Sequence, residues 1–368
     1  MTVSAIVLAA GQGTRMRSAR PKPLHMICGQ SIVLHVIHAL QDVHVERTVV
    51  VVGHGGDQVT RKVHEQAPSW ANVSFVEQKV QRGTGDAAMV GMSALPGDEL
   101  DELDDQSTIV ILPGDTPLLQ ADTITNLVAA HTAHGYAATL LTSVMDDPTG
   151  YGRVLRSPSK TGDGRVVRIV EQRDASPEQL AVGEINTSIY AFRRNLLGPA
   201  LRHLTPDNSQ GEYYLTDVIS VLGGMGHQIG AIQAPATETA GINDRWQLAL
   251  AERELRARTN RYWLLNGVTM LDPRQTFIDV TVKLGRDVTL FPGTILQGRT
   301  TIGNGCEIGP DARLVDCTIG DNCTIENSVG REATVATGAH VGPYAHLPAG
   351  SAVEGGQSTG AFYTAPIS

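Results

Sequence analysis

Between positions 284 and 314 an aliphatic side chain returns at every sixth residue: Leu284, Leu290, Leu296, Ile302, Ile308 and Leu314. After one-residue slips the series resumes at Ile319 and Ile325, then at Val335, Val341, Leu347 and Val353. Glycine directly follows Leu284, Ile302, Ile308, Ile319 and Val341. A helix repeats every 3.6 residues and a strand every second, so a period of six belongs to neither as a plain element. It fits a hexapeptide β-helix, in which each short strand places one aliphatic side chain into a stacked interior. With three hexapeptides to a coil, the region holds roughly four coils. An ordinary all-β domain with chance spacing is the alternative.

The residues before this region read differently, and 368 residues exceed one ordinary core, so two domains are expected. Strand-like apolar runs at 4–9, 47–52, 73–77 and 108–112 alternate with helical patterns such as 31–40. Near-continuous β-branched runs separated by helices predict a mostly parallel sheet covered on both faces. The stretch 151–214 is looser, with turns between short strands at 165–171 and 186–192, and reads as an insertion that supplies one wall of a pocket. Residues 244–265 have helical spacing and many good helix formers. The expected division is a first domain at 1–245, a linker helix at 246–270 and a β-helix at 271–368.

A formal charge of −9 disfavours a nucleic-acid or anionic-membrane partner, although a small phosphorylated ligand needs only a local basic pocket. No apolar run reaches the roughly 20 residues needed to cross a bilayer. The opening residues lack the pattern of a secretory signal, so the expected location is cytoplasmic. Cys28, Cys306, Cys317 and Cys323 form no CxxC pair or zinc spacing and read as small buried thiols.

The most informative stretch for chemistry is Leu8-Ala9-Ala10-Gly11-Gln12-Gly13-Thr14-Arg15-Met16, followed by Arg20-Pro21-Lys22-Pro23-Leu24. A strand opens into small residues and glycines, so backbone N–H groups can approach phosphate oxygens unobstructed. Arg15 adds a planar fork of donors and Lys22 a mobile point charge. No GK[ST] follows, which disfavours a P-loop, and the third glycine of the dinucleotide fingerprint is missing. This loop and Gly114-Asp115 both lie at carboxyl ends of expected strands, where ligands bind in such sheets.

The string L-A-A-G-x-G-T-R-M with the Pro-Lys beyond it resembles the sugar-phosphate nucleotidyltransferase family. More narrowly, the chain is similar to the bacterial bifunctional enzymes that make UDP-N-acetylglucosamine, with a uridylyltransferase domain first and an acetyltransferase lobe second. The resemblance runs from Val3 to about Phe362. It includes Leu24-His25 with Gly29, Gln78 with Gln81 and Gly83-Thr84-Gly85, Gly114-Asp115-Thr116-Pro117-Leu118, and Gly150-Tyr151-Gly152-Arg153. Glu171, Glu184-Ile185-Asn186-Thr187, the run from Gln210 to Asp217, and Gly241-Ile242-Asn243 continue it.

The resemblance implies an α/β, Rossmann-like nucleotidyltransferase domain followed by a short left-handed hexapeptide β-helix. It implies UTP and N-acetylglucosamine 1-phosphate as substrates, and Mg²⁺ held by Asp115 and Asn243. A hard cation prefers oxygen ligands and needs only one or two from protein, which agrees. The alternatives are a turn residue capping a helix for Asp115 and an N-cap for Asn243. Arg15 and Lys22 are the expected catalytic cations. Leu8, Ala9, Ala10, Gly11, Gln78, Gly83 and Thr84 are expected to bind the nucleotide, and Gly152, Glu171 and Asn186 the sugar. An amide such as that of Gln78 can donate to and accept from a uracil edge, whereas a surface role is its plainer reading. Glu171 could instead pair with Arg165 or Arg168.

Two residues depart from the family pattern: Asp86 stands where histidine is usual, and Ser188 where glycine is usual. In the second lobe, Leu347-Pro348-Ala349-Gly350 lacks the arginine of the family's L-R-P-G, and Gly360 to Ala365 lacks its lysine. The expectation is a degenerate lobe without acetyltransferase activity that supports a homo-oligomer, trimeric in the family. Competing readings are a nucleotidyltransferase for another sugar phosphate or nucleotide, and a silent regulatory paralogue that binds nucleotide sugar.

Overall fold

A computed structural model describes residues 2–95, 107–158 and 164–366, and these divide into two compact units. The first comprises residues 1–25 and 31–247, the second residues 26–30 and 248–368. The strands of the first unit are β1 (Val3–Ala9), β2 (Arg47–Val52), β3 (Val73–Glu77), β4 (Thr108–Pro113), β5 (Ala138–Val144), β6 (Arg153–Arg156), β7 (Val166–Val170), β8 (Glu184–Arg193) and β9 (Ile229–Gln233). They form one sheet in the order β9-β5-β8-β4-β1-β2-β3, with β6 paired to β8 and β7. The four pairings β4–β1, β1–β2, β2–β3 and β9–β5 are parallel. Only β8, antiparallel to both β4 and β5, runs against its neighbours in the main path.

This corrects one expectation. The strand read at 186–192 is no part of an insertion, because it fills the centre of the sheet between β4 and β5. Only the β6–β7 ribbon stands off the main path. Loose local composition around it concealed a core strand whose Ile189, Tyr190, Ala191 and Phe192 are all buried.

Both faces of the sheet are covered, as uninterrupted apolar strands require. On one face Val3, Ala5, Val7 and Ala9 of β1 pack with Val33, Leu34, Val36 and Ile37 of α1 (Ile32–His38) and with Val59 and Val63 of α2 (Gly56–Gln66). On the other, Ile6 and Ala10 pack with Ala87 and Ala88 of α3 (Thr84–Ser93). The period-2 alternation of β1 is thereby used in full, and its carboxyl end emerges between the two layers.

The second unit is built from three parallel five-stranded sheets of two- and three-residue strands. Met270, Leu290, Ile308, Ile325 and Val341 form one interior ladder, and Leu284, Ile302, Ile319, Val335 and Val353 another. This is the expected hexapeptide β-helix, with five rungs on each face. The additional rung begins at Thr269–Met270, and its period is hidden by the 3₁₀ turn Pro273–Gln275 before Phe277–Ile278. The gap in the series between Ile325 and Val335 has its own cause. Gly330 takes the interior position between Leu314 and Leu347, where an added Cβ would lie 3.1 Å from Leu314 and 3.2 Å from the Cys317 sulfur. Neighbouring side chains already fill that rung. All four cysteines are free and buried.

The helix α4 (Arg245–Leu265) contributes to the second unit from Leu248 onward. Its buried Asn260 donates to the carbonyls of Pro273 and Thr276, at 2.8 and 2.9 Å, closing the first turn of the β-helix. Because Ile308 is fully buried between Leu290 and Ile325, Ile308→Ala should lower the second unit's stability by about 2–5 kcal/mol and Ile308→Val by about 0.5–1.5 kcal/mol. Scanning calorimetry checks this ranking, and equal, negligible shifts would contradict the ladder.

Candidate active site

The carboxyl ends of β1 and β4 meet because their connecting residues are small. Gly114 donates its N–H to the Leu8 carbonyl at 2.8 Å, and a Cβ there would lie 3.0 Å from that oxygen and from the Ala9 side chain. After β1 the chain makes a 3₁₀ turn at Thr14–Met16, preceded by Gly13 at φ 61°. A side chain at Gly13 would collide with Lys22, whose Cβ lies 2.6 Å from the position a Cβ would take. The second glycine of G-x-G is therefore what lets Lys22 lie across the loop.

Lys22 lies in a second 3₁₀ turn, Lys22–Leu24, started by Pro21. Its Nζ donates to Asp115 Oδ2 at 2.5 Å and to Asn243 Oδ1 at 3.2 Å. Arg15 donates to the same Asn243 oxygen at 2.9 Å. The ion pair is partly shielded, with 14% of the Lys22 side chain and 27% of that of Asp115 exposed. Asn243 does not cap α4: Asp244 takes that position, accepting the Gln247 N–H at 2.8 Å. Nor does Asp115 cap the helix that follows it, Ala121–His134, whose N-cap is Gln120. Both side chains are thus left facing the two cations.

These groups border a cleft of about 490 Å³ within the first unit. Leu8, Ala9, Ala10, Gly11, Lys22, Gln78, Gly83, Thr84, Asp115, Glu171, Asn186 and Asn243 all line it. Two of the expected site residues do not. Arg15 is exposed beside the cleft and reaches the cluster through Asn243. Gly152 is buried behind the wall, where its carbonyl accepts the Asn186 N–H at 2.9 Å and a Cβ would approach the Glu171 carboxylate at 3.5 Å.

At one end of the cleft, Gln78 is buried and its Nε2 donates to Asp86 Oδ2 at 2.7 Å and to the Gly83 carbonyl at 3.2 Å. Thr84 accepts the Leu215 N–H on its hydroxyl at 3.0 Å, and Gly85 donates to the Tyr213 carbonyl at 2.7 Å. The Gly83-Thr84-Gly85 loop is therefore zipped to the 213–215 segment.

At the other end, Glu171 accepts a hydrogen bond from Thr216 at 3.2 Å. It pairs with neither Arg165 nor Arg168 among the described contacts. Burial pushes its pKa above the ordinary carboxylate range, and Asp217, Asp174 and Glu212 push in the same direction against the Thr216 bond. Asn186 donates to the Tyr190 hydroxyl at 2.7 Å and accepts the Ser188 N–H at 3.3 Å. Burial also raises the Tyr190 phenol, and this residue was missed by the sequence analysis. Asn186, Ser188 and Tyr190 all line the cleft, but the left-handed bend at Ser188 interrupts the strand's alternation between them, so spacing alone does not single Tyr190 out. Tyr151 also lines the cleft, and burial raises its phenol pKa as well.

Because the folded protein opposes ionisation of Glu171, its charge costs stability at any pH above the unfolded carboxyl pKa. That cost disappears at pH values below it, where both states are protonated. Glu171→Gln should therefore melt at a higher temperature than the wild type near pH 7, with the difference shrinking toward pH 4. Thermal melts across this range check it, and a lower melting temperature for the variant at neutral pH would contradict it.

Residues 5–213 match the family model of the MobA-like NTP transferase domain. The chain is 44% identical over 342 residues to the bifunctional protein GlmU of Caldanaerobacter subterraneus subsp. tengcongensis, across 93% of this chain and 71% of that protein. It is 47% identical over 347 residues to the bifunctional protein GlmU of Streptomyces avermitilis, across 94% of this chain and 70% of that protein. With the bifunctional protein GlmU of Mycobacterium ulcerans it shares 42% identity over 359 residues, 97% of this chain and 71% of that protein. Matches of this extent, joined to the phosphate-suited loop and the β-helix, establish that the chain belongs to the GlmU family of sugar-phosphate nucleotidyltransferases.

Proposed function

We propose that the protein transfers UMP from UTP to N-acetylglucosamine 1-phosphate and releases pyrophosphate. The observation that carries this reading is the convergence of Lys22 and Arg15 on Asp115 and Asn243 at one edge of a cleft whose far end is lined by Glu171, Asn186, Tyr190 and Thr216. A phosphate oxygen of the sugar attacks the α-phosphorus of UTP. The new P–O bond forms as the bond to the bridging oxygen of the β-phosphate breaks, and the electron pair leaves with pyrophosphate. The attacking phosphate is already ionised near neutral pH, so no side chain has to remove a proton.

Lys22 and Arg15 would orient the reacting phosphates and balance the charge that builds on the departing pyrophosphate. The N–H groups around Ala9, Ala10 and Gly11 can approach the nucleotide without side-chain obstruction. At the far end, Glu171 as a carboxylate accepts sugar hydroxyl bonds, and Asn186, fixed by Tyr190, suits an acetamido group.

A carboxylate and a carboxamide oxygen already converge on one cation, the Lys22 ammonium, and that donor set fits Mg²⁺. Among the described residues no group of three or more His, Cys, Asp or Glu side chains could hold a metal, so substrate phosphates and water would complete the shell. When bound, Mg²⁺ would supply positive charge to the phosphate oxygens. We further propose that these β-helix coils lack acetyltransferase activity, because Pro348 and the segment from Gly360 to Ala365 carry no basic side chain at the positions where the resemblance implies arginine and lysine.

Pyrophosphate release with Mg²⁺ and UTP should be fastest with N-acetylglucosamine 1-phosphate when compared with glucose 1-phosphate and glucosamine 1-phosphate. Preference for another sugar would overturn the sugar assignment, and silence with all three would overturn the reaction. Asp115→Ala should lower the rate by at least about 10²–10³-fold, in the range seen when a single preorganised electrostatic group is removed. Circular dichroism should show the fold retained, and undiminished turnover would remove Asp115 from the mechanism.

A further inference from the structure

Asp86 departs from the family pattern and adds negative charge near a proposed polyphosphate site, yet its carboxylate has a specific partner. Gln78 Nε2 carries two hydrogens, and two acceptors take them: Asp86 Oδ2 at 2.7 Å and the Gly83 carbonyl at 3.2 Å. Turning the amide over would set Gln78 Oε1 against both acceptor oxygens, so its orientation is fixed. Among the described residues no donor reaches Oε1. Gln78 lines the cleft, and only 5% of it is exposed, so it has little room to choose another rotamer. The side chain expected to donate and accept at once has no donor left.

We propose that Asp86 is a positioning residue that makes Gln78 an acceptor-only reader of the nucleotide base. The cleft thereby selects a base with an imino N–H at the centre of its Watson–Crick edge. This rests on the assignment of Gln78 to the nucleotide end of the cleft. Uracil and thymine present N3–H and satisfy the free oxygen. Cytosine of the same size presents a bare N3, and its lone pair would face the Gln78 oxygen. A buried site left with two facing acceptors rejects the analogue far more strongly than a lost apolar contact would.

Asp86 belongs to the first turn of α3, where the positive end of the helix favours a carboxylate. Gly83 is equally constrained. Its φ is 107°, and a Cβ there would lie 2.6 Å from the Tyr213 carbonyl, so the oxygen that takes the second hydrogen is held by packing. One acceptor is backbone and the other is Asp86, so only the second can be varied without rebuilding the loop.

The test is the ratio of kcat/KM for UTP to that for CTP, with the same sugar phosphate, in the wild type and in variants that melt as cooperatively as it does. The wild type should favour UTP by at least about 100-fold, a lower bound beneath the roughly 10⁴–10⁵-fold of sites that reject an analogue through unpaired polar groups. Asp86→Ala frees one amide hydrogen and lets the group turn, so the ratio should fall at least about tenfold, a change of about 1.4 kcal/mol. Asp86→Asn can still present an oxygen to Gln78 and should restore most of the ratio. In a Gln78→Ala background, Asp86→Ala should change the ratio no further, because the effect acts through Gln78.

A ratio unchanged by Asp86→Ala, or one equally relaxed in Asp86→Asn, would overturn the proposal while leaving the base site in place. A wild type that uses UTP and CTP equally would overturn the base-site assignment and the proposal together. Should Asp86→Ala fail to fold, Asp86→Leu, which removes the acceptor but keeps the volume, takes its place, and an undiminished ratio in that variant would overturn the proposal.

Discussion

The Lys22 ammonium is the interaction on which the site depends. It joins a carboxylate at the end of β4 to a carboxamide ahead of α4, and it does so from the turn that follows the glycine loop. A charge with 14% of its side chain exposed needs such partners, since a partly dehydrated ion left alone is strongly destabilising. Two cations and one carboxylate then share a small volume, with the Asn243 oxygen dividing its lone pairs between Arg15 and Lys22. The local balance is positive in a chain whose formal charge is −9, so the electrostatic pull on phosphates comes from placement rather than composition.

How far this arrangement could be read from sequence depends on whether the controlling contact is local. Strands Arg47–Val52 and Val73–Glu77 were delimited correctly because continuous β-branched runs leave no competing period. The β-helix was legible because a six-residue repeat survives small slips, and it blurred only where Gly330 and the turn Pro273–Gln275 interrupt it. The central strand Glu184–Arg193 was misjudged because its neighbours in the sheet come from 108–113 and 138–144, a pairing that no local pattern records. The loop residues of the cleft were found through the G-x-G string, whereas the Tyr190 hydroxyl and the Asp86–Gln78 bond arise only after folding.

Ser188 shows the same limit in conformational terms. It adopts φ 61° at an irregularity in the β8–β5 register between Asn186 and Ile189. A left-handed backbone costs a side chain on the order of 1–2 kcal/mol relative to its usual regions, and glycine avoids most of that. The serine is retained in the wall of the cleft beside Asn186, whose oxygen accepts its N–H. Strain held at a binding surface is expected where the surrounding structure over-determines the residue. Here Thr187 anchors the same bend, with its hydroxyl donating to the Leu141 carbonyl at 2.6 Å.

The cleft is also electrically polar along its length. Lys22 and Arg15 gather beside Asp115 and Asn243, whereas Glu171 has Asp174, Glu212 and Asp217 around it, and their charges help to raise its pKa. A phosphate entering the Glu171 end would meet like charge, and one entering the Lys22 end would meet two cations. A substrate with an anionic head and a neutral polyol body is therefore oriented before any close hydrogen bond forms. That polarity does not require Glu171 to be fully ionised, because its three acidic neighbours supply the repulsion. The Asp86 carboxylate is a local case: it lies in the first turn of α3 and accepts from the Gln78 amide, so this departure from the family pattern has a defined partner within the protein.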